Sequence, residues 1–232
     1  MNLQKLNDAI AQYANFLRNH PHHDPYIPWE SQRIFQQNWD VEALDFRSMF
    51  DRSLENSRSR RLWKREHYEP KEVMLRFVEM NREFVRQVFQ DLFNENKEVD
   101  GRVGRFGFHC DELLAAWHEG HPASKLNSHY HHDGYQMLSL YLAFRFPAQY
   151  LLYEFDSFRR LMEMLGSRDL PKVDDLGRYF KVMRTVYTFI KKNPEILELH
   201  AKRITPGLHY EGETLLVAWD FMQVTTGAKS LF

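Results

Sequence analysis

Residues 134–146, GYQMLSLYLAFRF, are apolar on nearly every side until Pro147 ends them. A helix without a polar face has to be wrapped by the apolar faces of other elements, so this one belongs at the centre of a packed domain. Neighbouring segments supply such faces. Leu3, Leu6, Ile10, Tyr13 and Leu17 recur at three-to-four spacing, which predicts a helix over residues 2–19. The three prolines of HPHHDPYIP then interrupt it, leaving an arm or linker. A short helix is expected over about 30–37, and another over about 40–54 with Asp40 as its N-cap.

Met74, Val78, Val85, Val88 and Leu92 carry one apolar register from Pro70 to about Asn94, with Asn81 in the single slot that is not apolar. This reads as one long helix. Val103, Phe106, Cys110, Leu113 and Trp117 continue the pattern, while Gly101, Gly104 and Gly107 recur every third residue. That GxxGxxG is not a dinucleotide fingerprint, and it predicts a face shaved for the approach of another backbone. Further helices follow: Phe155 to Leu165 closed by Gly166, Val173 to Ile190, one opened by Asn193–Pro194, and an amphipathic segment from Thr214 to Val224.

No stretch alternates convincingly as a strand. Only 10 glycines and 9 prolines in 232 residues argue against a design built on tight turns. The expected class is all-α: an irregular bundle of about eight to ten helices around the buried helix 134–146. Residues 1–27 read as a helix and Pro/His-rich arm, and 28–232 as a single helical domain, with a subdivision near 125 as the alternative.

Net charge is −1, so any affinity for nucleic acid must rest on a local patch. The one cysteine, Cys110, builds neither a disulfide nor a cysteine-based zinc site. No apolar run is long enough to span a bilayer, and the first twenty residues lack a signal-peptide core. A cytoplasmic setting without membrane contact is expected.

Two stretches carry candidate chemistry. In SRSRRLWKRE, Arg58, Arg60, Arg61, Lys64 and Arg65 place five cations in eight residues without an acid among them. Such density suits successive phosphates, and Trp63 could stack on a base or pack beneath the arginines. Arg82, Arg86, Arg102 and Arg105 could extend the surface. The bland alternative is a solvated connector whose arginines pair with Glu66, Glu69 and Glu72.

The second stretch is SHYHHDGY, residues 128–135. Six of the twelve histidines fall between His109 and His132. His129, His131, His132 and Asp133 are candidate metal ligands, with His118 and His121 nearby. HEGH at 118–121 is one residue short of a zincin motif, so its two histidines do not share the required face. The alternative is a helix start, with Ser128 or Asp133 as the cap. No serine-hydrolase or phosphate-loop motif is present; the tail TTGAKS lacks the first glycine of the latter. Glu95–Asn96–Lys97 spells half of a nuclease motif without its strand. No cofactor is expected, and the balance leans away from an enzyme.

The run YQMLSLYLAFRFPAQYLLYEFDSFRRLMEMLG resembles a segment of McrB-type restriction and defence proteins, N-terminal to their AAA+ motor. The resemblance rests on a helix ending in an aromatic–Pro–x–x–Tyr turn, at Phe146, Pro147 and Tyr150, then Tyr153, Phe155 and Phe158. YFKVMRTVYTFIKKNPEILELHAKRIT and HYEGETLLVAWDFM are similar to the next part, so the likeness spans about 129–224. Upstream, FQQNWDVEALDFRSMFDRSL and RRLWKREHYEPKEVMLRF are similar to related proteins. The resemblance implies an accessory or recognition module without the motor, contacting DNA or a motor or nuclease partner. A metal-dependent enzyme using residues 109–133 and a protein scaffold using the aromatics around Tyr150 and Tyr153 are the other two readings.

Overall fold

The computed structural model describes residues 1–228 and is all-helical, with no strand or sheet among them. Lys229 and Ser230 of the TTGAKS tail lie outside the described residues. The helices are α1 Leu3–Asn19, α2 Ile27–Asn38, α3 Phe46–Ser53, α4 Pro70–Met80, α5 Arg82–Leu92, α6 Val99–Gly120, α7 Gln136–Arg145, α8 Phe155–Met164, α9 Leu176–Ile190, α10 Pro194–Ala201 and α11 Leu216–Thr226.

The expected central helix is α7. Every residue from Met137 to Phe144 is 0% exposed. Phe50 and Phe89, from α3 and α5, close their rings on Tyr141 at 6.2 and 5.1 Å. Gln32 of α2 donates to the carbonyl of Ala143 at 2.8 Å, which fixes α2 against the end of α7. One difference from the sequence reading is that α11 is not amphipathic: Leu216 to Gln223 are all buried, so a second buried helix underlies α8 and α9.

The single helix expected over 70–94 is two helices. Asn81 stands between them at φ −151° and ψ 78°, and its side chain accepts from the Phe84 N–H at 3.2 Å. An asparagine that satisfies the first turn of the following helix offers the backbone an alternative to continuing the previous one. Asp45 caps α3 through the Ser48 N–H at 3.0 Å. Asp40 does not cap it; its carboxylate takes the Glu42 N–H in a local turn at 3.0 Å. Gly166 ends α8 as expected, at φ +66°, with the Ser167 N–H returning to the Met162 carbonyl.

The Pro/His-rich arm is packed rather than loose. Tyr26 is 2% exposed, and Pro28 sits in the first turn of α2, where a missing N–H costs nothing.

Candidate functional site

The basic segment lies in the irregular connection between α3 and α4. Leu62, Trp63 and Tyr68 anchor it to the core. Trp63 is 2% exposed, so it is a floor beneath the cations and not a stacking platform, which corrects that part of the sequence reading. The cations divide into two kinds. Arg58 forms a two-point pair with Asp24 at 2.6 and 3.1 Å, and Lys64 meets Glu69 at 3.4 Å. Burial of Asp24 opposes its ionisation, and the hydrogen bonds from Arg58 and the Tyr26 N–H, with the charge of Arg58, together outweigh it and hold the carboxyl below its ordinary range. Arg65 lies 4.3 Å above the Tyr68 ring and donates to Gln136.

Arg60 and Arg61 are exposed, and among the described residues no carboxylate pairs with either. Arg60 borders a pocket of about 340 Å³ whose walls include Trp63, Lys64, Lys71, Asp51 and Glu72. Lys71 is held there by Asp51 at 2.6 Å and the Leu54 carbonyl at 2.8 Å.

The proposed extensions of this surface are not free. Arg102 is 2% exposed and donates to the Leu92 carbonyl, Glu95 and the Tyr150 hydroxyl. Arg105 pairs with Asp91, and Arg82 with Glu83. Arg86 donates to the carbonyls of Val41 and Ala43. Arg105 ties α6 to α5, and Arg82, Arg86 and Arg102 also bond residues of the neighbouring loops. Tyr150 and Tyr153 are 4% and 1% exposed, so they form no aromatic surface for a scaffold.

The histidine segment 128–135 turns twice. Tyr130 and Tyr135 adopt left-handed backbone at φ 62° and 53°, as does Gly134. For residues with a Cβ this costs on the order of 1 kcal/mol each. Tyr135 is the N-cap of α7 and no side chain caps that helix. Ser128 instead accepts from the Tyr130 N–H at 2.9 Å, and neither it nor Asp133 plays the expected capping role.

The turns aim His129 and His132 at one carboxylate, and it is Asp111 of α6, not Asp133. Both contacts, from His129 Nε2 to Oδ1 and from His132 Nε2 to Oδ2, are 3.1 Å. The ligand-type atoms of Asp111, His129 and His132 lie within 4.8 Å of one another, as do those of Cys110, His129 and His131. Gly107 stands one helical turn before Asp111. A Cβ there would lie 2.5 Å from His132 Cε1, so the glycine makes room for an imidazole, not for a backbone. That i, i+4 pair of Gly107 and Asp111 was the signal that sequence reasoning passed over.

Hydrogen bonds set the protonation of the cluster. The His131 N–H donates to His129 Nδ1 at 3.0 Å, so His129 carries its proton on Nε2 and donates it to Asp111. Metal-bound histidines do the reverse, donating from the nitrogen that is not bound. His131 turns inward: its Nδ1–H donates to the His129 carbonyl at 2.6 Å and its Nε2 faces the Tyr141 hydroxyl at 3.2 Å. Burial pushes His131 down to about 3, so it is neutral. Burial also lowers His129, against the pull of Asp111. Asp111 is held below its usual range: burial opposes ionisation, and the bonds from His132 and His129 outweigh it. The Cys110 thiol is pushed up by burial and stays protonated. As it stands the cluster is a carboxylate clamped by two imidazole N–H groups. It holds the 128–135 turn to α6.

No protein-family model, curated protein or solved structure matches the chain. Among the described residues no helix is long and apolar enough to cross a membrane.

Proposed function

We propose that this chain is a non-catalytic recognition or adaptor module that contacts DNA through the α3–α4 connection, in a restriction-type defence setting where a motor or nuclease partner supplies catalysis. The observation that carries the reading is the contrast within one segment. Leu62, Trp63 and Tyr68 are buried and immobilise the connection, while Arg60 and Arg61 project without a carboxylate partner among the described residues. A backbone already anchored has no ordering of its own left to undergo on binding, so more of the attraction between these cations and phosphates survives as affinity. The McrB-type resemblance supports the setting. The polar pocket beside Arg60 offers room for a group reaching in from the bound strand.

The test is fluorescence anisotropy with labelled duplex DNA across a salt series, for wild type and Arg60→Ala/Arg61→Ala. Two lost phosphate contacts flatten the plot of log affinity against log salt by about 2. A double variant that binds with wild-type affinity and salt dependence refutes this contact surface.

A further inference from the structure

The longest acid-free stretch of cations in the structure is not the segment 58–65. From Leu176 to Pro194 there is no aspartate or glutamate, and Arg178, Lys181, Arg184, Lys191 and Lys192 all fall within it. Most of this stretch is α9. Its inner face is buried through Tyr179, Phe180, Met183, Val186 and Ile190. Its outer face presents Lys181, Arg184, Thr185 and Thr188, and Lys192 follows in the turn just past its end, all exposed. Positions 181, 185 and 188 follow the i, i+4, i+7 line of a single helical stripe, with Arg184 beside it.

Two of the five cations are spent at the ends: Arg178 on Asp169 at 3.1 Å and Lys191 on Glu213 at 2.9 Å. Among the described residues, no carboxylate pairs with Lys181, Arg184 or Lys192. Lys192 instead has its ammonium 4.3 Å over the Phe189 ring, which orients it without neutralising it. Between the long cations the surface is low. Thr185 and Thr188 fold their hydroxyls back onto the Lys181 and Arg184 carbonyls at 2.9 and 3.0 Å.

We propose that the outer face of α9, with the turn that follows it, is a second nucleic-acid contact, in which Lys181, Arg184 and Lys192 meet the phosphates of a duplex laid along the helix. This rests on reading the chain as a nucleic-acid module, and it adds a surface that the α3–α4 connection does not include. The complementarity is one of charge and length. From Lys181 to the end of α9 at Ile190 the helix rises about 14 Å, with Lys192 just beyond, and a duplex presents about eight phosphate charges over that distance. A straight cationic strip without acids suits a uniform polyanion, and it offers no apolar anchor of the kind that protein interfaces use.

The experiment uses the full chain and a labelled duplex of about 20 base pairs, titrated from about 50 to about 300 mM salt. Lys181→Gln/Arg184→Gln/Lys192→Gln removes the strip, and Arg60→Gln/Arg61→Gln removes the other contact. Thermal unfolding confirms that both variants fold; the substituted side chains are exposed. The α9 variant is expected to bind about a hundredfold more weakly near 100 mM salt, with the salt slope reduced by about three. An α9 variant that binds as wild type does overturns the inference, whatever the other variant does. If the α9 variant weakens while Arg60→Gln/Arg61→Gln does not, this inference stands and the proposed α3–α4 contact falls. Absence of binding by the wild type at low salt overturns both.

Discussion

The hydroxyl of Tyr13 donates to Asp220 Oδ2 at 2.6 Å and ties the first helix to the last. Asp220 is 1% exposed, and its other oxygen receives His23 Nε2 at 2.8 Å, from the arm between α1 and α2. His200 extends the chain of bonds from α10. Its Nε2 donates to the Tyr13 oxygen at 2.7 Å, and its Nδ1 accepts from Tyr26 at 2.9 Å. One neutral tautomer satisfies every partner. Burial pushes His200 down to about 4, in keeping with that tautomer. The Pro/His-rich arm is held by this network, so its order depends on residues 174 and 197 positions away.

Tyr13→Phe is therefore expected to destabilise the fold by about 2 kcal/mol, since it removes a buried bond to a carboxylate and strips His200 of an acceptor. Urea unfolding reads this directly. An unchanged midpoint would mean that His23 alone satisfies Asp220 and that the arm is not held through Tyr13.

Gly107 and His132 make a second, sharper case. Alanine in place of a glycine inside a helix normally stabilises by up to about 1 kcal/mol where the methyl has room, but Gly107 is buried. At position 107 the new methyl would meet the His132 ring, so the ring must swing off Asp111. Gly107→Ala should thus gain clearly more stability in a His132→Ala background than in the wild type. The double-mutant cycle isolates the contact between the two sites. Simple additivity would show that His132 is not seated against α6.

Much of this architecture was legible because burial leaves a pattern along the chain. GYQMLSLYLAFRF could only be central, and the three-to-four spacing placed nearly every helix. Asn81 was visible as the odd slot in a long register, yet apolar spacing says nothing of the backbone break that its side chain stabilises. The site was harder to read, because its partners are remote in sequence. Asp24 neutralises Arg58 from 34 positions away, and Asp111 gathers His129 and His132 from 18 and 21. Residues 58–65 stand out along the sequence as a dense block of charge, and the cations of α9 do not. There the cations are spread at helical intervals and become a strip only once the helix is formed.

Burial lowers all four buried histidines, His129, His131, His200 and His209, and the two shifted furthest predict a dependence on pH whose sign can be worked out. His131 and His200 titrate near 3 and 4 when folded, below the ordinary value for the unfolded chain. Below about pH 6.5 the unfolded state takes up their protons first, so stability is complete above that pH and declines as pH falls toward 4. Each histidine contributes a slope of up to about 1.4 kcal/mol per pH unit. Urea midpoints between about pH 7 and pH 5, a window above most carboxylate titration, measure it. His131→Gln should lower stability at neutral pH and flatten the slope. A slope that is the same in the variant would exclude His131 as a source.

Zinc offers the most direct check on the hydrogen-bond assignment in the histidine cluster. A metal at Asp111, His129 and His132 needs the Nε2 lone pair of His129, and that nitrogen carries the proton because Nδ1 accepts from the His131 N–H. Binding would require an imidazolate or the loss of that backbone bond. The alternative group with Cys110 would require a buried thiol to ionise. Equimolar zinc is accordingly expected to leave the melting temperature unchanged in protein purified without a polyhistidine tag. A rise that a chelator reverses, and that Asp111→Ala abolishes, would show that the 128–135 turn rearranges to release His129. The left-handed residues Tyr130 and Tyr135 would then be the hinges of a metal site.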